Sequence, residues 1–221
     1  LAARPWAVDG ELAEAMGREV AGLHARATVR PQGGGGKALK YTIDSNAKLI
    51  RELTPQLGEE RVEALVTATD AEYYRREALL DARRTAGFAR QCHADLHLGN
   101  ILLEGGKPIL FDCIEFNDVL SDIDIQYDLA FLLMDLDFRR RRDAAVRVLS
   151  AYMDEGLRHS GPDLLAGLAA LPLMMAVRAA LCVAGALLCV STPAGAQRVG
   201  ELRVEASWVR ATPPGAGVIG G

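Results

Sequence analysis

Residues 92–118 read "CHADLHLGNILLEGGKPILFDCIEFND", and this stretch decides the fold because it interrupts a chain that is otherwise helical in pattern. Within it, "ILLE" and "KPILF" are short runs of β-forming residues, and the glycine pair between them predicts a β-hairpin. Two histidines, five acidic residues and two asparagines surround this hairpin. The sequence therefore predicts a short hairpin that carries a polar site.

Helices are predicted on both sides of the hairpin. Leu12, Met16, Val20 and Leu23 recur at helical spacing over residues 9–26, with Asp9 as the N-cap. Further helices are predicted over residues 44–53, 58–86, 124–137, 140–157 and 163–190. A chain of 221 residues is long enough to bury a substantial core. We expect an α+β fold that is mostly helical.

The charge pattern argues against a nucleic-acid partner. The net charge is −4, which provides no overall attraction to polyanions. The run "RRRR" at residues 139–142 is a basic cluster without interleaved aromatic residues, so it predicts the solvated start of a helix.

The cysteines predict a reducing, cytoplasmic setting. Cys92, Cys113, Cys182 and Cys189 form no CxxC pair and no zinc spacing, and no signal-peptide pattern precedes them. Cys182 and Cys189 are seven residues apart, so we expect them on one helix face as small core residues.

Residues 164–190 are apolar over the length of a bilayer span. However, Pro172 lies near the start of this segment and Arg178 lies in its middle. A central arginine costs about 3 kcal/mol on insertion into a membrane. The pattern therefore favours a buried helix, and we expect no membrane partner.

The glycine run at residues 33–36 precedes Lys37 and superficially resembles a phosphate-binding loop. It lacks the closing Gly-Lys-Ser/Thr element, and no apolar strand precedes it. We therefore predict a flexible surface connection at this position.

The polar residues around the hairpin fit phosphoryl transfer, a reaction that needs positioning and charge neutralisation. Asp95 and Asn100 have the D-x-x-x-x-N spacing of a kinase catalytic loop, which would aim Asp95 at an acceptor hydroxyl. Asp112 follows the second hairpin strand and can approach Asn100 in space. An amide and a carboxylate oxygen are ligands that Mg²⁺ accepts, so we predict that Asn100 and Asp112 bind magnesium.

The segments "HADLHLGNILL" and "ILFD" resemble the catalytic segment of the aminoglycoside phosphotransferase-like branch of the protein-kinase-like fold. That family has the pattern H-G-D-x-x-x-x-N followed by a strand that ends in Asp. The segment "IDIQYDLAFLL" is similar to the family's next helix. The resemblance implies an ATP- and Mg²⁺-dependent transfer of phosphate to the hydroxyl of a small molecule. It implies that Asp95 is the catalytic base, that Asn100 and Asp112 bind the metal and nucleotide, and that His93 and Asp128 support the loop.

The chain departs from the family pattern in two respects. Ala94 stands where the family has glycine, which would cost about 1 kcal/mol if the position needs a positive φ. No glycine-rich nucleotide loop and no strand lysine precede residue 92. We therefore expect residues 1–190 to form only the carboxy-terminal lobe of the kinase-like fold, with weak Mg-ATP binding and slow turnover in the absence of an amino-terminal lobe.

The tail over residues 191–221 is rich in Gly, Pro and Ala and is predicted to be a linker followed by the start of another domain. "CHADLHLGN" and "LFDCIEFND" resemble a bacterial subgroup in which the kinase-like domain precedes a P-loop ATPase domain. The final "GVIGG" of this tail is similar to the strand that enters the phosphate loop of that ATPase domain. The resemblance thus implies two partners, an amino-terminal lobe and a following P-loop domain.

Two other functions remain open at this point. His93, Asp95, His97 and Asp112 are spaced so that they could hold zinc or a dimetal centre of a hydrolase, whereas His24 and His159 are remote in sequence. Alternatively, the lobe is a docking or regulatory module without catalytic activity. For Asp128 alone, a position on a solvated helix face is a separate alternative to its support of the loop. Substrate contacts and a capped acidic turn explain Glu115, Asn117 and Asp118 equally well.

Overall fold

The computed structural model describes residues 1–114 and 116–191, with side chains up to residue 183. The helices are α1 (Gly10–Arg26), α2 (Gly35–Glu52), α3 (Thr54–Leu57), α4 (Glu59–Thr85), α5 (Asp118–Ser121), α6 (Ile125–Phe138), α7 (Arg142–Ser160) and α8 (Leu171–Ser191). The strands are β1 (Ala89–Gln91), β2 (Ile101–Glu104), β3 (Lys107–Leu110) and β4 (Asp122–Asp124). Short 3₁₀ helices cover Pro5–Ala7, Leu98–Asn100 and Pro162–Ala169. The predicted α+β, mostly helical fold is confirmed.

The predicted hairpin is formed by β2 and β3. Its antiparallel register pairs Ile101 with Leu110 and Glu104 with Lys107. Gly105 and Gly106 both have positive φ, at 56° and 80°, as a two-residue turn between right-twisted strands requires. The glycine pair in the sequence therefore marked the turn correctly.

A second antiparallel pair joins β1 to β4; β1 leads into the loop that carries Asp95, and β4 leads into α6. The end of this strand pair at Asp124 is tied to α4, because Arg83 donates to both carboxylate oxygens of Asp124 at 2.7 and 2.9 Å. Asp124 also caps α6 by accepting from the Gln126 amide at 2.8 Å. This buried, bidentate pair positions the start of α6 beside the strands.

The glycine run is not a flexible connection, and α2 begins nine residues earlier than its pattern predicts, at Gly35. Gly34 has φ 60°, and its amide donates to the Asp122 carbonyl at 2.8 Å. A Cβ at Gly34 would lie 3.0 Å from the Cβ of Ala89. The glycine run is therefore needed for a close turn against β1 and β4, and tertiary packing overrides its low helix propensity.

The core centres on α6, which is buried on nearly all sides. Around it pack α7 and α8, and α1 lies against α7. The segment predicted as one helix over residues 163–190 is instead broken after Ala169, because Pro172 cannot donate a hydrogen bond to a preceding turn. Taken singly, no helix among the described residues is long and apolar enough to cross a membrane. The bent pair Pro162–Ala169 and Leu171–Val183 meets that test by length and composition alone.

The arginine run joins α6 to α7 and is not simply a solvated helix start. Arg139 donates to the Asp135 carboxylate at 2.8 Å and to the Ala2 carbonyl at 3.0 Å. Arg141 donates to the carbonyls of Pro5 and Val8, both at 2.6 Å. Two of the four arginines therefore fasten the amino-terminal segment to the helical core.

Close packing of α1 on α7 depends on Gly17. A Cβ at this position would collide with the Val148 carbonyl oxygen and lie 2.9 Å from the Tyr152 amide nitrogen. We expect Gly17→Ala to lower the free energy of unfolding by about 1–3 kcal/mol, because backbone atoms of α7 cannot move aside cheaply. Urea unfolding measures this change.

Gly22 on the same helix is the matched control for Gly17. A Cβ at Gly22 would meet only the guanidinium of Arg26, at 3.1 Å, and this flexible side chain can move. Gly22→Ala is expected to leave stability unchanged or to raise it by up to about 1 kcal/mol through helix propensity. Equal losses in the two variants would contradict the proposed close approach.

Three predictions concern residues beyond the structural description. Glu115 and the tail over residues 192–221, including the predicted linker and domain start, lie outside the described residues, and so does the side chain of Cys189. Cys182 is half-buried on α8.

Candidate active site

The loop between β1 and β2 places Asp95 and Asn100 in direct contact. The Asn100 side-chain amide donates to the Asp95 carbonyl oxygen at 3.0 Å and to its carboxylate Oδ2 at 2.9 Å. The 3₁₀ turn Leu98–Asn100 brings the two residues together across five positions of sequence. Oδ2 is thus occupied, whereas Oδ1 of Asp95 accepts no hydrogen bond from the described part of the chain.

Asp112 follows β3 and reaches the same end of the hairpin. The Phe111 amide donates to the Asn100 carbonyl at 3.1 Å, so Asp112 is one residue beyond the pairing partner of Asn100. Asp112 is exposed and has φ 61°, in the left-handed region that non-glycine residues seldom adopt. This backbone turn takes Asp112 out of the strand geometry next to the hairpin end.

His93 links the loop to both sides of Asp112. Its Nδ1 accepts from the Asp95 amide at 3.3 Å, so Nε2 carries the proton that is donated to the Phe111 carbonyl at 2.8 Å. The Ile114 amide donates to the His93 carbonyl at 3.0 Å. His93 therefore holds the residues on both sides of Asp112 against the loop that carries Asp95.

Asp128 lies directly beneath the loop and is fully buried, so the alternative of a solvated helix face is wrong. Its Oδ1 accepts from the Ala94 amide at 2.8 Å, and its Oδ2 accepts from the His93 amide at 3.1 Å. Burial raises the pKa of Asp128, but the hydrogen bond from His24 and the charge of Arg178 bring it below its ordinary value. The carboxylate therefore stays ionised while it binds the loop backbone.

Asp135, two turns further along the same face of α6, holds the next part of the loop. Its Oδ2 accepts from the Leu98 amide at 3.0 Å, and its Oδ1 accepts from Arg139. The Ala2 amide in turn donates to the Leu98 carbonyl at 3.1 Å. Two buried aspartates of one helix thus support the loop on both sides of Asp95.

The position of Ala94 does require a positive φ, which is 69°. A β-branched side chain at such an angle is a strong outlier, and Ala94 is also buried. We expect Ala94→Val to lower the free energy of unfolding by about 2 kcal/mol or more through backbone strain and overpacking. Ala94→Gly should remain within about 1 kcal/mol of the wild type, because relief of strain offsets the lost methyl contact and the added chain entropy. Thermal and urea unfolding of both variants check this ranking.

His97 packs beside Asp95 but has no settled chemical role. Its Nδ1 accepts from the Gly99 amide at 2.9 Å, and its ring lies 5.3 Å from that of Phe131. Its Nε2 lies 3.5 Å from Asp95 Oδ2, which is long for a hydrogen bond. Burial raises the pKa of Asp95, whereas His97, Asn100 and the charge of Arg178 lower it, and the net pKa lies below its usual value.

The four residues of the hydrolase alternative do not form a metal cluster in the described part of the chain. Both ring nitrogens of His93 are engaged, and so is Nδ1 of His97. The group that does converge is His24, Cys92 and Asp128, whose ligand atoms lie within 4.8 Å of one another. Burial raises the pKa of the Cys92 thiol well above its usual value, so this residue is a poor metal ligand.

The turn after the hairpin is capped as one of the two alternatives predicts. The Asn117 side chain accepts from the Val119 amide at 3.0 Å and begins α5, with Asp118 exposed in its first turn. This geometry accounts for both residues without a substrate.

Two residues near the site were not predicted from the sequence to lie there. His24 lies far from the loop in sequence but contacts Asp128. Arg178 is buried on α8, with its guanidinium carbon 4.1 Å from the ring centre of Tyr127 and 5.0 Å from that of Phe131. Arg178 could have been singled out in the sequence, because an arginine is unusual in an apolar helix. His24 lies on an ordinary amphipathic helix, and no sequence feature indicated its role.

Two comparisons with known proteins give matches to this chain. The model of the phosphotransferase enzyme family matches residues 2–168. Uncharacterized proteins of Mycobacterium tuberculosis and Mycobacterium bovis are 32% identical over 149 residues, which is 66% of this chain. The chain spans 30% of the length of these relatives. Solved structures provide no significant match.

Proposed function

The chain belongs to the phosphotransferase enzyme family, and from this premise we propose that it catalyses transfer of the γ-phosphate of ATP to a hydroxyl group of a small molecule. Asp95 is the residue that binds the acceptor. The observation that carries this proposal is the loop geometry: Asn100 holds Oδ2 of Asp95, and Oδ1 remains to accept a hydrogen bond from the acceptor hydroxyl.

The lowered pKa keeps Asp95 ionised, so its carboxylate can orient the hydroxyl. It then accepts the hydroxyl proton as the phosphate is transferred. The bond that forms joins the acceptor oxygen to the γ-phosphorus, and the bond that breaks joins that phosphorus to the oxygen bridging to ADP. Asp128 and Asp135 hold the loop backbone, so Asp95 does not need to reorganise before the reaction.

Asn100 and Asp112 fit a magnesium ion by the chemistry of their donor atoms. Asn100 uses its NH₂ group on Asp95, so its amide oxygen is the atom it has to offer, and Asp112 adds an exposed carboxylate. Mg²⁺ prefers such hard oxygen ligands and retains water molecules, so two protein ligands suffice. When bound, the ion supplies positive charge that neutralises the phosphates.

One face of the hairpin also offers an apolar surface. Leu102 and Ile109 are cross-strand neighbours on that face and are 53% and 41% exposed. Adjacent exposed apolar side chains of this kind are suited to contact with the base of a nucleotide.

We propose further that the lobe works within a longer cytoplasmic protein that contains an amino-terminal lobe and a P-loop ATPase domain. The support is that the curated relatives extend far beyond the matched segment. We propose an acceptor from the class of hydroxylated small molecules.

Manganese bound with ATP tests the site even if affinity is weak, because paramagnetic Mn²⁺ broadens the NMR signals of nearby amides. We expect broadening centred on Asn100 and Asp112 at millimolar Mn-ATP, and its loss in Asp112→Asn. Asp118→Asn removes an exposed charge from the neighbouring turn and is the matched control. Absence of broadening in the wild type, or its persistence in Asp112→Asn, would contradict the proposed metal site and favour a docking module.

A further inference from the structure

His24 lies in the last turn of α1, far from the catalytic loop in sequence, yet only 2% of it is exposed. Its Nε2 lies 3.1 Å from Oδ2 of Asp128, and its Nδ1 lies 3.0 Å from the hydroxyl of Tyr152. The same Oδ2 accepts from the His93 amide. His24 is therefore one contact away from the backbone of the loop that carries Asp95.

The donor and acceptor roles in this network follow from the chemistry of its members. An ionised carboxylate only accepts hydrogen bonds, so Nε2 of His24 carries a proton and donates it to Asp128. With His24 neutral, Nδ1 is an acceptor, and the Tyr152 hydroxyl donates to it. Asp128 then receives three hydrogen bonds, from His24 and from the amides of His93 and Ala94. A buried network satisfied in this way favours one arrangement of its groups.

The backbone of His24 is also held in place. Arg90, on the strand that leads into the loop, donates to the His24 carbonyl at 2.7 Å and to the Ala25 carbonyl at 3.0 Å. The end of α1 and the start of the loop are therefore fastened to each other twice, once through backbone carbonyls and once through the His24 ring.

From these contacts we propose that His24 is a positioning residue of the active site, an inference that rests on the proposed phosphotransferase function. It fixes the orientation of the Asp128 carboxylate, which holds the two amides that precede Asp95. The left-handed backbone of Ala94 lies at this point, so it needs such support. Without His24, the carboxylate is free to turn and the loop loses its alignment.

Three variants separate positioning from general stability. His24→Leu removes both hydrogen bonds at similar volume. His24→Gln is the conservative variant, because its amide can donate to Asp128 and its oxygen can accept from Tyr152. Val20→Ala is the matched control, since Val20 is fully buried on the same helix and its truncation leaves a cavity without touching the network.

The first measurement is amide hydrogen exchange of His93 and Ala94 in the complete chain, which needs no substrate. We expect exchange at these two amides to be about 10-fold or more faster in His24→Leu, relative to the Ile109 amide, which lies in a hydrogen-bonded pair of the hairpin. His24→Gln should stay within about threefold of the wild type, and Val20→Ala should change both regions alike. Equal protection in His24→Leu and the wild type, or equal loss in His24→Gln, would overturn the proposal.

The second measurement is single-turnover release or transfer of labelled γ-phosphate from Mg-ATP. His24→Leu should lower the rate constant by about 10-fold or more at unchanged dependence on ATP concentration, because a loop displacement of about 1 Å is costly to catalysis. If exchange responds as expected but the wild type transfers no phosphate, the positioning contact stands and the proposed function fails. If the wild type is active and His24→Leu is equally active, the positioning role fails alone.

Discussion

Asp95→Asn is expected to lower the rate of phosphate transfer by about 10²–10⁴-fold, the usual contribution of a positioned general base. The amide oxygen of the new residue can still accept from Asn100, so the loop should keep its shape. What is lost is the negative charge and the proton-accepting oxygen that faces the acceptor. Transfer of labelled γ-phosphate from Mg-ATP under single-turnover conditions, with protein in excess, measures the change even if turnover is slow.

Glu104→Gln is the matched control for this prediction. Glu104 is an exposed carboxylate at the tip of the same hairpin and has no part in the proposed site. Its neutralisation should leave the rate within about twofold of the wild type, because an exposed charge at the tip of the hairpin is screened by salt. Transfer at an undiminished rate in Asp95→Asn would remove Asp95 from the reaction.

Asp128→Asn is expected to lower the free energy of unfolding by about 3 kcal/mol. The carboxylate accepts hydrogen bonds from His24 and from the amides of His93 and Ala94 in a fully buried position. An asparagine provides one acceptor oxygen and turns an NH₂ group toward groups that also donate, which leaves buried donors without partners. Urea unfolding, followed through the midpoint at constant slope, measures the loss.

Asp137→Asn, on the exposed face of the same helix, is the control and should change stability by less than about 0.5 kcal/mol.

The pKa of Asp128 is lower in the folded state than its ordinary value of about 4, so its stabilisation is complete above that pH and is lost as pH falls through the folded pKa. The difference in free energy of unfolding between the wild type and Asp128→Asn should therefore be constant near neutral pH and shrink below about pH 4. A difference that grows as the pH is lowered would contradict an ionised Asp128.

Local patterns in the sequence were sufficient for much of this molecule. The β-rich runs around the glycine pair predicted the hairpin, and helical periodicity predicted α1, α4, α6 and α7. The spacing of Asp95 and Asn100 predicted two residues that do meet, because five positions of chain with one 3₁₀ turn determine that contact. The departure at Ala94 was also readable from the sequence, and the structure meets the condition attached to it, a positive φ. Such features depend on residues that are close together in the chain.

Long-range contacts account for what was missed. The glycine run was expected to be loose, but packing against Asp122 and Ala89 makes it the start of α2. Arg139 and Arg141 were expected in solvent, but they fasten the amino-terminal segment. Their partners come from distant parts of the chain, and local propensity carries no information about them.

The residues of the candidate active site differ in the same way. The sequence by itself determined which residues form the loop and the order in which Asp95, Asn100 and Asp112 appear, because short-range spacing and turn chemistry specify them. Only the tertiary structure decided that Asp128 is buried beneath the loop and that His24, from the first helix, completes its hydrogen bonds. The reason is physical: a buried carboxylate must be satisfied by whichever donors the packed helices bring to it, and that choice is made in space.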